Sequence, residues 1–341
     1  MSITGRLLYV DCLRGFAMLM VVYSHVLTFA MGGIVPSALG EFMRVIMLPL
    51  FFFISGFCAY KDTMHFSRSN FMEQILSKIR SILIPTIIMF LLFMVYSHNN
   101  ILHYATSYDK SGYWFTWVLF QVLVIYYLTV YVAGKINNVY LKIIVICFPL
   151  VVMWLFAHSI GFSNELSVIF EWVKLKQYYV FFLVGVFLRQ FEPYVIKFIE
   201  RPFVNLLLFI ISVLSYIVVG GGNVLVFSIL ILWYLFYSMN SWMIEPFRWF
   251  VNTLSLIGKN TLAVYFIHFF LLFSIPIIPE WLEMLKNDSV FGTHSCDSFV
   301  ELIIVGVISI LISYMCVFVG RILRAFPLVH TICLGPINSN V

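Results

Sequence analysis

The chain of 341 residues is 62% hydrophobic and 10% charged, with a formal net charge of +5 and a mean hydropathy of +1.02. An average soluble domain is about 25% charged, so a water-soluble fold has nowhere to hide this much apolar surface, and a disordered chain is excluded for the same reason. The runs are continuous rather than alternating, which excludes a β-barrel, and the basic residues are too scattered for a nucleic-acid surface; the composition predicts an all-α polytopic membrane protein.

A span needs roughly 20 residues, and about ten segments reach or approach that length. They run 9–31, 42–60, 81–97, 113–133, 139–157, 170–189, 203–219, 224–240, 254–277 and 299–319. In the first, Asp11 and Arg14 interrupt the apolar run and no small-residue cleavage site follows, so it reads as a retained span rather than a signal peptide. The stretch Phe162 to Gln177 is amphipathic enough for a re-entrant or interfacial piece. Counting short loops, one side of the membrane carries Arg6, Lys61, Arg68, Lys78, Arg80, Lys135, Arg189, Lys197, Arg201, Arg248, Arg321 and Arg324. The other carries Lys110, Lys174, Lys176 and Lys286 among the acidic residues Asp109, Glu165, Glu280, Glu283, Asp288 and Asp297. This bias predicts that both termini are cytoplasmic. Of six cysteines only Cys296 falls in an outer loop, so no disulfide is expected. No repeat and no hydrophilic block interrupts the pattern, and residues 1–341 read as a single integral membrane domain.

The first span holds a polar stripe. A charged group at the bilayer centre costs about 3 kcal/mol on insertion scales, which makes an ionisable residue there a functional candidate. The eleven steps from Arg14 to His25 close to within roughly 20° of three helical turns, so the two share a face about 16 Å apart along the axis. Asp11 lies one turn before Arg14. Two readings stand for each residue: Arg14 is an interfacial anchor paired with Asp11 or a binding group, and His25 is an interhelical hydrogen-bonding residue or a catalytic one. Asp11 is too far along the axis to orient His25, so any orienting partner must come from another span.

Arg14, ten intervening residues and His25, preceded by the Asp11-to-Gly15 run, resemble the first-helix signature of the acyltransferase-3 family of membrane O-acyltransferases. Further matches follow in family order. Leu48 to Gly56 resembles the second-helix Phe-Phe-x-x-Ser-Gly element, and Lys78 to Pro85 the basic, Pro-ended entry to the third helix. Tyr113 to Trp117, Tyr178 to Gly185 and Ile257 to His268 resemble later family segments. Two positions depart from the pattern. The basic pair is Lys78 and Arg80 rather than Arg-x-x-Arg, and Met47 stands where some sugar O-acetylases carry a histidine.

The resemblance implies transfer of an acyl group, commonly acetyl, from cytoplasmic acetyl-CoA to a hydroxyl of a cell-envelope or exported glycan or its lipid-linked precursor. The expected setting is the inner (plasma) membrane of a bacterium, with acyl-CoA, the glycan acceptor and membrane lipids as partners and no nucleic acid. Such chemistry needs cationic groups for the CoA phosphates, a base near neutral pKa, and donors for an oxyanion. The candidates are His25, Arg14 and Asp11 for catalysis. Arg14, Ser55, Lys78 and Arg80 are the donor-binding candidates, with Gln121 and His268 on the acceptor side; His268 reads equally as the group that orients His25 or as an interhelical hydrogen-bonding residue. Direct attack and an acetyl-histidine intermediate both remain open. Ser55 and Gly56 read equally as a small-residue packing pair, and Trp114 and Trp117 as interfacial anchors. The remaining histidines show no metal-ligand spacing, so no metal is expected. A glycan or small-solute transporter or flippase is the competing function. It fits the span count, but the sequence lacks an obvious repeat and a clearly mid-membrane carboxylate.

Overall fold

A computed structural model describes residues 7–30, 37–60, 68–107, 110–159, 164–219, 222–238, 247–272 and 294–336. Of the residues used for the charge bias, Arg6, Lys61, Asp109, Glu280, Glu283, Lys286 and Asp288 lie outside these.

The described residues form helices and no strand, as a chain must when its backbone polar groups have no water to bond. In chain order they are α1 (Leu8–His25), α2 (Ala38–Ala59), α3 (Arg68–Lys78), α4 (Ile84–Tyr96), α5 (Ile101–Ala105), α6 (Trp114–Ala133), α7 (Val139–Ser159) and α8 (Asn164–Phe170). There follow α9 (Trp172–Gln190), α10 (Glu192–Ile199), α11 (Pro202–Val219), α12 (Leu225–Ser238), α13 (Arg248–Lys259), α14 (Thr261–Leu271), α15 (His294–Leu323) and α16 (Pro327–Leu334). Two π-helical turns interrupt the regular pattern. Val26–Ala30 continues α1 directly after His25, and Ile79–Leu83 joins α3 to α4 directly after Lys78.

Among the described residues six helices are long and apolar enough to cross a membrane, and eight if each of two bent pairs counts as one span. The chain is an integral membrane protein by this measure. The expected segment near 139–157 coincides with the apolar α7, and that near 224–240 with a shorter apolar helix, Gly222–Ser238. Two expectations change. The segment 254–277 is not one straight helix: α13 and α14 meet at 88° across Asn260. Asn260 marks the stop: its side chain donates to the Leu256 carbonyl at 2.8 Å, and its carbonyl then receives the Val264 N–H at 3.0 Å. The helix of the third segment starts at Arg68 rather than 81, its first turns polar and without a buried residue.

The chain divides into two compact units. One comprises residues 1–54 and 196–322; the other comprises 55–195 and 323–341. In the first unit α1 is the interior helix, with 67% of its span buried against 6% for α11, which carries no charged residue. The polar helix is inside and the apolar one outside, the inverse of a soluble bundle, because lipid rather than water is the outer solvent. Helix α1 packs chiefly on α13 through two glycines. A Cβ on Gly15 would lie 1.9 Å from the Leu254 carbonyl oxygen, and one on Gly258 would lie 1.8 Å from that of Asp11. The backbones therefore touch in both directions.

The second unit centres on α6 and α9, where Tyr126, Tyr179, Phe181 and Phe182 are buried together with Val118 and Val122. Gly56, on the last turns of α2, meets the Phe182 backbone so closely that a Cβ would lie 1.9 Å from its carbonyl oxygen. The packing reading of the Ser55–Gly56 pair therefore describes Gly56. Between α8 and α9, Glu171 adopts a left-handed backbone (φ 52°) and is buried. Its carboxylate receives Lys110 Nζ at 2.7 Å and Lys174 Nζ at 3.2 Å. Lys110 also donates to the carbonyls of Val168 and Ser107, so this buried charge is paired and hydrogen-bonded, as desolvation requires.

Candidate active site

The first unit brings together the two intramembrane histidines. His25 ends α1 and His268 lies in α14, 243 residues later, yet His25 Nδ1 and His268 Nε2 are 2.7 Å apart. The ring planes differ by 2° with centroids 5.0 Å apart, so the imidazoles meet nitrogen to nitrogen, nearly coplanar, rather than face over face. His268 is fully buried, and His25 is half-buried against Phe29 and Phe269. The 88° break before α14 aims His268 at α1.

The hydrogen-bond pattern gives the pair a direction. His268 Nδ1 lies 2.9 Å from the Val264 carbonyl oxygen. A carbonyl only accepts, so that nitrogen carries a proton, and a neutral His268 presents the lone pair of Nε2 to its neighbour. His25 Nδ1–H must then be the donor, which leaves Nε2 of His25 as the unprotonated nitrogen. The assignment follows from the acceptor at the end of the chain, not from either imidazole alone.

Three turns earlier on the same helix face, Arg14 and Asp11 form an i,i+3 pair at 3.9 Å, Asp11 buried and the Arg14 side chain 31% exposed. An ion pair at this length is looser than a hydrogen bond, so it keeps the guanidinium near the carboxylate without committing its donors to it. The other sequence-derived candidates belong to the second unit. Lys78 ends α3 and Arg80 is exposed in the π-helical turn that follows it. Ser55 is half-buried beside Gly56, and Gln121 donates to the Trp117 carbonyl at 3.4 Å on its own helix. Among the described residues no three His, Cys, Asp or Glu side chains converge as metal ligands. Cys12, Cys58, Cys147, Cys316 and Cys333 are free thiols.

One polar cluster escaped the sequence reading. Glu301, near the start of α15, is buried and accepts from the Tyr23 hydroxyl at 2.9 Å, from the Ser37 backbone N–H at 2.9 Å and from the Ser37 hydroxyl at 3.2 Å. Ser37 Oγ in turn receives the Gly40 N–H at 3.1 Å at the start of α2. The carboxylate thus ties α1, the N-terminus of α2 and α15 together, its α1 partner Tyr23 standing two residues before His25. It sits near a span end, and nothing local marks partners more than 260 residues away.

A family model described as an acyltransferase domain, Acyl_transf_3, matches residues 7–318. The chain belongs to the acyltransferase-3 family. No characterised protein and no solved structure gives a significant match. The matched range contains the imidazole pair, the Arg14–Asp11 pair and the Glu301 cluster, so all three lie within the acyltransferase domain. This membrane acyltransferase therefore has an acyl donor and an acceptor to bring together.

Proposed function

We propose that the protein is an O-acyltransferase that moves acetyl, or another short acyl group, from a cytoplasmic acyl-CoA to a hydroxyl of a cell-envelope or exported glycan or its lipid-linked precursor. The observation that carries the reading is the directed imidazole pair, which equips His25 with a free nitrogen lone pair and a fixed orientation inside a membrane helix.

In this reading His25 Nε2 takes the proton of the acceptor hydroxyl as its oxygen attacks the thioester carbonyl. The positive charge that develops on His25 is shared with His268 through the Nδ1–H···Nε2 bond, whose far end is fixed by the Val264 carbonyl. The tetrahedral intermediate collapses by breaking the carbon–sulfur bond. The CoA thiolate needs little acid assistance, since a thiol's pKa is about 8.5, and it or its surrounding water receives the proton from His25. Ester, free CoA thiol and the original imidazole result. Arg14, half-exposed and held by Asp11, suits the phosphates of the donor, as do Lys78 and Arg80. The charge bias supports a topology with both termini and these cationic groups at the cytoplasmic side, in the plasma membrane of a bacterium.

A transporter shares one feature with this protein, namely spans broken by right-angle bends. Here one break serves to place His268 against His25, and family membership weighs on the enzymatic side. The test is mass analysis of envelope glycans from cells with and without the protein. An acyl increment present only with the protein is expected; identical glycan masses, together with solute flux in proteoliposomes lacking acyl-CoA, would move the function to transport.

A further inference from the structure

A groove of about 390 Å³ opens on the first unit, lined by Leu256 of α13 and by Tyr314, Met315, Val317, Phe318 and Arg321 of α15. Its volume falls in the range of small-ligand sites, roughly 300–1,000 Å³. Four of the α15 positions, 314, 317, 318 and 321, follow the i, i+3, i+4, i+7 spacing of one helix face. They form a strip about 10 Å long with a cation at one end. Val317 is buried as the floor, while Met315 and Phe318 stand more than half exposed as walls. The Tyr314 hydroxyl is engaged with the Thr253 hydroxyl at 2.8 Å, so the ring rather than the hydroxyl faces the trough. Arg321 is exposed and forms no ion pair among the described residues.

We infer that this groove binds an anionic phospholipid, one acyl chain lying along Tyr314, Val317 and Phe318 and the headgroup phosphate on Arg321. The argument is charge complementarity along an apolar trough. Carbon lines the groove up to its end, where an unneutralised guanidinium stands within reach of a headgroup, and guanidinium matches a phosphate with two parallel donors. On the topology read from the charge bias Arg321 is at the inner leaflet, where anionic lipids concentrate. The site is separate from the imidazole pair and does not depend on the acyl-transfer reading. It is linked to α1 by α13, which bears Leu256 and packs on α1 through Gly258, and by α15, whose Glu301 accepts from Tyr23.

The experiment is native mass spectrometry of the full chain released from detergent after exposure to equimolar phosphatidylglycerol and phosphatidylcholine of the same chain length. One juxtaposed basic residue favours an anionic lipid by about 1 kcal/mol, roughly fivefold. The wild type should therefore retain phosphatidylglycerol about fivefold over phosphatidylcholine. Arg321→Gln should bring the ratio close to one, and Arg321→Lys should keep most of it. Met315→Glu should reduce retention of both lipids, the anionic one more, and supplies the test if Arg321→Gln does not purify as a single species. Equal retention of the two lipids by the wild type, or a preference unchanged in Arg321→Gln, overturns the inference. So does a dimer peak that Met315→Glu abolishes, since a second copy of the chain would then cover the groove.

Discussion

His25 and His268 illustrate what a single residue contributes once its partner is known. A histidine within an apolar helix is ambiguous between structural hydrogen bonding and catalysis. The bond to His268, and the carbonyl beyond it, fix a tautomer that leaves a basic nitrogen on His25. His268 is a positioning residue in this scheme, because it acts through His25. His268→Ala removes one hydrogen bond to the group that becomes charged and should lower kcat about tenfold, near 1.4 kcal/mol, with little change in acceptor KM. His268→Gln, which keeps an acceptor in the same place, should recover part of the loss, and steady-state kinetics on the two variants checks it. Both histidines were legible in the sequence, one from the stripe on the first helix and one from the late family segment. Orientation of His25 by His268 was one of the readings open for the late histidine; the bend that brings them together across 243 residues was not legible, since span counting smooths over it. The Arg14–Asp11 pair is the opposite case: an i,i+3 spacing predicts it and the two groups stand 3.9 Å apart.

Two devices position helix α1. The first is the reciprocal glycine contact with α13, where each missing Cβ is occupied by a backbone carbonyl of the other helix. Gly258→Ala should destabilise the first unit by about 3 kcal/mol, the upper range for overpacking, because backbone rather than a pliable side chain must yield. It should also lower activity without touching the site, and thermal unfolding in detergent measures the first effect. The second device is Glu301. Glu301→Ala leaves the Tyr23 hydroxyl and Ser37 N–H buried without their acceptor and should cost about 2–4 kcal/mol, whereas Glu301→Gln retains an acceptor oxygen and should cost less than half of that. Equal losses in the two variants would mean that charge rather than hydrogen bonding holds the cluster. The helical character of nearly every segment was readable from apolar runs. The break at Asn260 was hidden by the apolar residues on either side. The two π-helical turns left no trace in composition, although each adjoins a residue, His25 or Lys78, that the motifs single out.

At the scale of the whole molecule, composition decides the solvent, and the solvent decides the fold. A chain with 10% charged residues can keep its few ionisable groups in lipid only by pairing them with one another. The described structure does so repeatedly: Glu171 with Lys110 and Lys174, Asp11 with Arg14, Glu301 with Tyr23 and Ser37, and His25 with His268. The first three arrangements are neutralised or fully bonded. Among these arrangements the imidazole pair ends in a nitrogen with an unused lone pair on a half-buried ring, and this difference supports the proposal that it is the reactive group. The decisive measurement is transfer of labelled acetyl from acetyl-CoA to glycan by membranes containing the full chain, compared with the same membranes carrying His25→Ala at equal protein level. Loss of a general base costs about 10²–10⁴-fold, so label incorporation should fall to that of membranes without the protein. Incorporation by His25→Ala at the wild-type rate would contradict the assignment.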